Sequence, residues 1–201
     1  MKQPVLGFAM CGSFCTYQPV LEALEELHTV FPDIIPIMSG ASFETDSRFG
    51  SADAFRARLE AICGHEIFHT IPQVEPIGPK ALLDALVIAP CTGNTIAKLA
   101  NGIADTPVTL AAKAHLRNEA PIIIAVSTND ALAGNAANIG LLLNRKHYYF
   151  VPFRQDSPQK KPRSMVADFT KLTICASDRR SHNTASSQSA PCFPQTACAS
   201  A

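Results

Sequence analysis

The chain has 201 residues, a length that suits one domain, and 47% of them are hydrophobic against 17% charged, enough apolar material for a sizeable core. Seventeen basic and seventeen acidic residues cancel, so no nucleic-acid or acidic-membrane partner is implied electrostatically, and no apolar run approaches the roughly twenty residues of a membrane span. Seven cysteines, an odd number without a C-x-x-C pair, suggest neither a zinc site nor a disulfide framework and fit a reduced cytosolic setting.

Residues 5–11 read as an apolar first strand, interrupted by Gly12 too early to be a signal peptide. Over 18–30, Val20, Leu21, Leu24, Leu27 and Val30 share one helical face, with Glu22, Glu25 and Glu26 opposite. A second strand at 34–38 contains Pro36, which points to an edge or a bend. Residues 52–63 are helical, with Phe55, Leu59 and Ile62 facing inward. A short strand is expected at 67–70, and 80–84 as the end of a brief helix. Residues 85–89 form a buried strand that Pro90 should end, since proline cannot donate to the ladder. Ile96, Leu99, Ala100 and Ile103 then recur at helical spacing, followed by a helix at 109–117, a β-branched strand at 122–126, a helix at 131–144 and a last strand at 148–151. Strands alternating with helices in this way predict a parallel, doubly wound α/β sheet with helices on both faces. From residue 174 neither period is visible and small polar residues dominate, so the expected organisation is one domain over 1–173 and a disordered tail over 174–201.

In such a fold ligands sit beyond the carboxyl ends of the strands, where helix amino termini favour anions. The turn after the first strand carries Gly12, Ser13 and Thr16; the second ends in Ser39 and Ser42; the third in Cys91, Thr92, Gly93, Asn94 and Thr95; the fourth in Ser127, Thr128 and Asn129. None of these is a G-x-G-x-x-G dinucleotide turn or a P-loop, and Ser39 stands where a nicotinamide site would show a ribose-binding acid. Hydroxyls and amides without clustered charge suit a monophosphate and the edge of a neutral heterocycle; the alternative is that they are helix caps and ordinary loop residues. Cys91 is either a reactive thiol or a small packing residue. His115 is either an acid/base group or a helix-surface or interface histidine. Arg48, Lys113 and Arg117 are candidate carboxylate binders or dispersed surface charge, and Asp130 either caps the next helix or orients substrate.

The blocks G-S-F-C-T (12–16), P-I-M-S (36–39), T-D-S-R-F-G (45–50), E-P-I-G-P-K (75–80), I-A-P-C-T-G-N-T-I-A-K-L-A-N-G-I-A-D-T-P-V-T (88–109), A-A-K-A-H-L-R-N (111–118), S-T-N-D-A-L (127–132) and N-I-G-L-L-L-N (138–144) resemble the flavoprotein family of homo-oligomeric flavin-containing cysteine decarboxylases. The resemblance implies a Rossmann-like, flavodoxin-type three-layer fold and FMN bound at the interfaces of a trimer or a multiple of it. It places Gly12, Ser13 and Thr16 by the flavin, Ser39 at the phosphate, and Cys91, Thr92, Asn94 and Thr95 around the rest of the cradle. Ser127, Thr128 and Asn129 take the place of a substrate-holding segment. It further implies one component of a two-component oxidoreductase that dehydrogenates a dihydropyridine dicarboxylate. The other component, an A subunit, would be a dinucleotide-binding protein carrying NADP. A non-catalytic module that assembles with that companion is the alternative. Pro76 stands where the decarboxylases carry a histidine, so oxidative decarboxylation of a thiol substrate is not expected.

Overall fold

The computed structural model describes residues 3–183. The central strands are β1 (Val5–Met10), β2 (Asp33–Met38), β3 (Ala85–Cys91) and β4 (Ile122–Thr128), which pair in parallel in the order β2-β1-β3-β4. A short parallel strand β5 (Tyr148–Phe150) adds to the start of β4, and two brief strands, β6 (Phe153–Arg154) and β7 (Met165–Ala167), follow it. Strand β7 pairs antiparallel with the end of β4 through Ser127 opposite Val166 and Thr128 opposite Met165. The sheet is therefore mixed at that side and parallel elsewhere.

Alternation along the strands splits the core into two apolar layers. Leu6, Phe8, Met10, Val87, Ala89, Ile123 and Ala125 face helices α1 (Tyr17–Val30) and α3 (Ala52–Cys63), between which the five-residue α2 (Gly40–Glu44) is inserted. Ala9, Cys11, Leu86, Ile88, Ile122, Ile124 and Val126 face the opposite layer. That layer holds a one-turn helix, α4 (Ile71–Val74), and then α5 (Gly93–Ala100), α6 (Pro107–Leu116) and α7 (Ala136–Leu143). With β3 and β4 covered on both faces, their near-continuous apolar runs are what a central parallel strand requires. Ser51 caps α3 and Gly64 closes it in the left-handed conformation, which explains why its 52–63 span is readable from sequence.

Five expectations are corrected. Proline does not end the central strand: β3 continues through a cis Ala89–Pro90 bond to Cys91, and the pairing with β4 shifts register between Ile88 and Cys91. At that irregularity the ring removes no ladder bond, while the Pro90 carbonyl still accepts from the Cys11 amide at 3.2 Å. Residues 67–70 form only a single bridge, Phe68 to Ile37, and the brief helical turns lie at 71–77 rather than at 80–84. The strand at β5 is not the last, since β6 and β7 are too short for a period to show. The segment expected to be disordered from 174 begins as helix α8 (Leu172–Asn183), packed on α1, β3 and β4 with Leu172, Cys175 and Ala176 buried at one-turn spacing. Residues 184–201 of the expected tail lie outside the described residues.

His115 belongs to this core and not to a surface. It is 0% exposed, its Nε2–H donates to the Pro121 carbonyl at 3.1 Å, and Nδ1 has no partner. Burial pushes its pKa down from 6.5 to about 4, so it is neutral at pH 7. The unfolded chain takes up this proton near pH 6.5 and the folded chain only near 4; the stability His115 contributes is complete above 6.5 and is lost as pH falls between the two values. Denaturant unfolding should therefore show a loss of up to ~3 kcal/mol across this window. A His115→Gln variant, which keeps an N–H donor for Pro121, should lose that part of the pH dependence, and an unchanged slope would contradict this role.

Candidate functional site at the strand ends

The site is built where β1, β3 and β4 stop side by side. The Ser13 amide turns back to the Cys11 carbonyl at 2.7 Å, and Thr16 Oγ1 donates to the Ser13 carbonyl at 2.8 Å, which fixes the turn that starts α1. Across the sheet edge, Ser13 Oγ lies 2.8 Å from Ser127 Oγ, and Thr16 Oγ1 lies 3.3 Å from the same oxygen. Three hydroxyls from the ends of β1 and β4 are thus tied together. Between them comes the β3–α5 turn, where Thr92 Oγ1 accepts from the Thr95 amide at 3.4 Å as a helix cap.

Close approach at this turn depends on Gly93. A Cβ there would lie 2.5 Å from Asn135 Nδ2 and 2.6 Å from both Asp130 Oδ1 and Thr128 Oγ1. Those three side chains form one network: Thr128 donates to Asp130 at 2.6 Å and Asn135 to the other Asp130 oxygen at 2.7 Å. Asp130 therefore anchors the loop after β4, with its carboxylate against the first turn of α5, a favourable place for negative charge.

A hollow of about 430 Å³ opens above these strand ends. Of the residues expected at the site, Gly12, Ser13, Thr92, Ser127, Thr128 and Asn129 line it. The others do not. Thr16 lies beneath it, 7% exposed and bonded to Ser127. Cys91 and Thr95 point into the core, Thr95 Oγ1 donating to Cys11 Sγ at 3.2 Å. Burial pushes the Cys91 thiol well up, which keeps it protonated and excludes a standing thiolate. Asn94 is exposed away from the lining, and Ser39 caps α2 by accepting from the Ser42 amide at 3.3 Å. Ser39 stays close by, since the neighbouring Ala41 Cβ is 3.6 Å from the position a Cβ on Gly12 would take.

Sequence reasoning missed most of the far wall, where Phe14, Cys15 and Phe49 line the hollow. Arg48, one of the candidate carboxylate binders, does line it, with its guanidinium 4.8 Å from the Phe49 ring centre. From the β6–β7 segment come Asp156, Lys161 and Ser164; Lys161 pairs with Asp156 at 3.0 Å, and Ser164 Oγ reaches Asn129 Oδ1 at 3.5 Å. Nothing in P-F-R-Q-D-S-P-Q-K-K-P-R-S (152–164) has a period, so only the antiparallel pairing with β4 reveals where it lies. Lys113 and Arg117 are not at this hollow but at another, and Pro76 sits in the turn at Glu75–Ile77 outside the lining.

The flavoprotein family profile matches residues 1–151. The chain belongs to the flavoprotein family. It is 43% identical over 172 residues to the B subunit of dipicolinate synthase from Bacillus subtilis (strain 168), covering 86% of each chain. The crystal structure of the dipicolinate synthase B subunit from Bacillus halodurans C superposes with a TM-score of 0.81 at 39% identity, covering 90% of this chain and 94% of that one. The FMN-dependent cysteine decarboxylase SpaF, at 24% identity and a TM-score of 0.67 over 91% of this chain and 98% of that one, shares the fold. This flavodoxin-type arrangement agrees with the mostly parallel sheet flanked by helices. Among the described residues no helix is long and apolar enough to cross a membrane.

Gly93→Ala should destabilise the protein by about 1–3 kcal/mol, because backbone or hydrogen-bonded groups must move to admit the methyl. Urea unfolding measures this, and an unchanged midpoint would show that the network yields freely. Gly140→Ala, with nothing within 4 Å of its Cβ position, is the control and should be neutral or stabilising.

Proposed function

We infer that the chain is the B component of a dipicolinate synthase. With the A subunit of dipicolinate synthase it would oxidise a dihydrodipicolinate-level precursor to dipicolinate during endospore formation. The observation that carries this reading is 43% identity to a dipicolinate synthase B subunit over 86% of both chains. The hollow supports it chemically. Its volume falls in the range of small-molecule sites, and it combines hydroxyl and amide groups with two aromatic rings and two cations, Arg48 and Lys161.

These residues fit a flavin mononucleotide. Ser13, Thr92, Ser127 and Thr128 would offer hydrogen bonds along its polar edge, and Phe14 and Phe49 would offer flat apolar contact, with Gly12 leaving room. Thr16 and Ser39 would act from outside the lining, Thr16 by holding Ser127 in place. When bound, the flavin would supply an acceptor for the two electrons of ring dehydrogenation. The chain's own part is orientation: Arg48, with its planar fork, would hold one substrate carboxylate, and Asn129, steadied by Ser164, would position the other. NADP on the A component is the alternative acceptor.

A second reading has a specific observation behind it. Among the described residues no histidine lines the hollow and its one carboxylate, Asp156, is already paired with Lys161, which leaves the exposed Cys15 thiol as the lining's one candidate for proton transfer. That favours a binding and assembly module whose chemistry is completed by the A component. Self-association into a trimer or a multiple of it belongs to the same proposal, and Leu132, Leu141 and Leu143, each 42–51% exposed, are apolar side chains available for it.

Reconstitution separates the two. Dipicolinate formation should require both components, and adding FMN and NADP separately identifies the acceptor; full-rate turnover by the A component without this chain would remove it from the reaction. Arg48→Gln should raise the KM for the dicarboxylate substrate by roughly tenfold to a hundredfold while leaving flavin affinity unchanged, the expected loss of a charge-assisted pair. An unaltered KM would place the carboxylate elsewhere.

A further inference from the structure

A second hollow, of about 470 Å³, lies away from the strand-end site, between the ends of α5 and α6 and the turn that leads into β5. Its apolar floor includes Leu99, Ile103 and Leu116. Four cationic side chains line it: Lys113 and Arg117, one turn apart on α6 and its carboxyl cap, and Arg145 and Lys146 on the turn after α7. No aspartate or glutamate is among the lining residues, and none of the four is in an ion pair among the described residues. In a chain whose charges cancel overall, four uncompensated cations around one concave surface repel one another unless an anion joins them.

Their arrangement also limits what that anion can be. Two cation pairs come from two separate elements, and apolar residues complete the lining. Arg145 is held in place by donating to the Leu99 carbonyl at 3.2 Å, while Lys113, Arg117 and Lys146 are exposed and available. A lone inorganic anion would meet cations and leave the apolar lining residues uncovered. A flat apolar body bearing two anionic groups would meet both pairs and cover the floor.

We propose that this hollow is a second ligand site, separate from the strand ends, for a small aromatic dicarboxylate. The proposal goes beyond the assignment of the reaction and stands without a flavin at the first site. Because the inferred product is itself an aromatic dicarboxylate, occupancy here would let the chain sense product without blocking the hollow that holds Arg48.

Isothermal titration of the full chain with pyridine-2,6-dicarboxylate, at low ionic strength and free of divalent cations that this compound chelates, tests the idea. Binding should persist in Arg48→Gln, which weakens only the first site, and should fall by about tenfold or more in Lys113→Gln/Arg117→Gln. Arg117→Lys should retain part of it, since the charge stays while the fork is lost. Benzoate, with one carboxylate, should bind at least about tenfold more weakly. The proposal is overturned if the double variant binds like the parent, if only Arg48→Gln loses affinity, or if sulfate competes as well as the dicarboxylate. It is equally overturned if the double substitution impairs capture of the A component and not of dicarboxylate, which would make this face a protein-docking surface. Loss of dipicolinate synthesis on reconstitution, with this binding intact, would count against the functional reading alone.

Discussion

The candidate site depends on how closely two loops can approach, and that distance is set at Gly93. With only a hydrogen at this position, the first turn of α5 presses against Thr128, Asp130 and Asn135. Asp130 then accepts from both neighbours and its carboxylate faces the positive end of the helix. The same contact pins Thr128, and through the strand it pins Ser127, which in turn meets Ser13 and Thr16. The ends of three parallel strands are thus locked into one polar edge by packing and hydrogen bonds, two of them to the Asp130 carboxylate, rather than by ion pairs. Such an edge has its hydrogen bonds already made without a ligand, which is how preformed sites avoid an ordering cost.

The fold was legible wherever a period was long enough to be read. Residues 52–63 have a capping serine, a terminal glycine and three inward apolar positions, and α3 has those bounds. The unbroken apolar run of β3 marked it as a buried strand, and the β-branched run of β4 marked it as a strand. Pro90 misled because its cost is conditional: proline harms a ladder only where its nitrogen would have donated, and the register shift removes that demand. Two- and three-residue strands such as β6 and β7 carry no readable alternation, and α8 is recognisable only from the surface it covers.

The site was legible in part, for a similar reason. Composition marked the strand ends as polar, but which hydroxyl faces outward is decided by rotation along each element. Thr92 and Thr95 illustrate this: both occupy the same small turn, yet the first lines the hollow and the second points inward to Cys11. Ser39 and Asn94 are spent on a helix cap and on solvent. His115, a plausible acid/base group on paper, is a neutral core residue whose one bonded nitrogen serves the Pro121 carbonyl. Lys113 and Arg117, considered together with Arg48, prove to lie at a different hollow.

Helix α8 has a bearing on how the protein is made. Leu172, Cys175 and Ala176 belong to the same apolar cluster as Leu6, Phe8, Val20 and Leu24, which are separated from them by about 150 residues of chain. A polypeptide emerging from the ribosome would present α1, and then β3 and β4, before the helix that packs on them is synthesised. Until α8 leaves the exit tunnel, the strip it packs on stays bare in the nascent domain, the kind of transiently exposed apolar surface that invites aggregation.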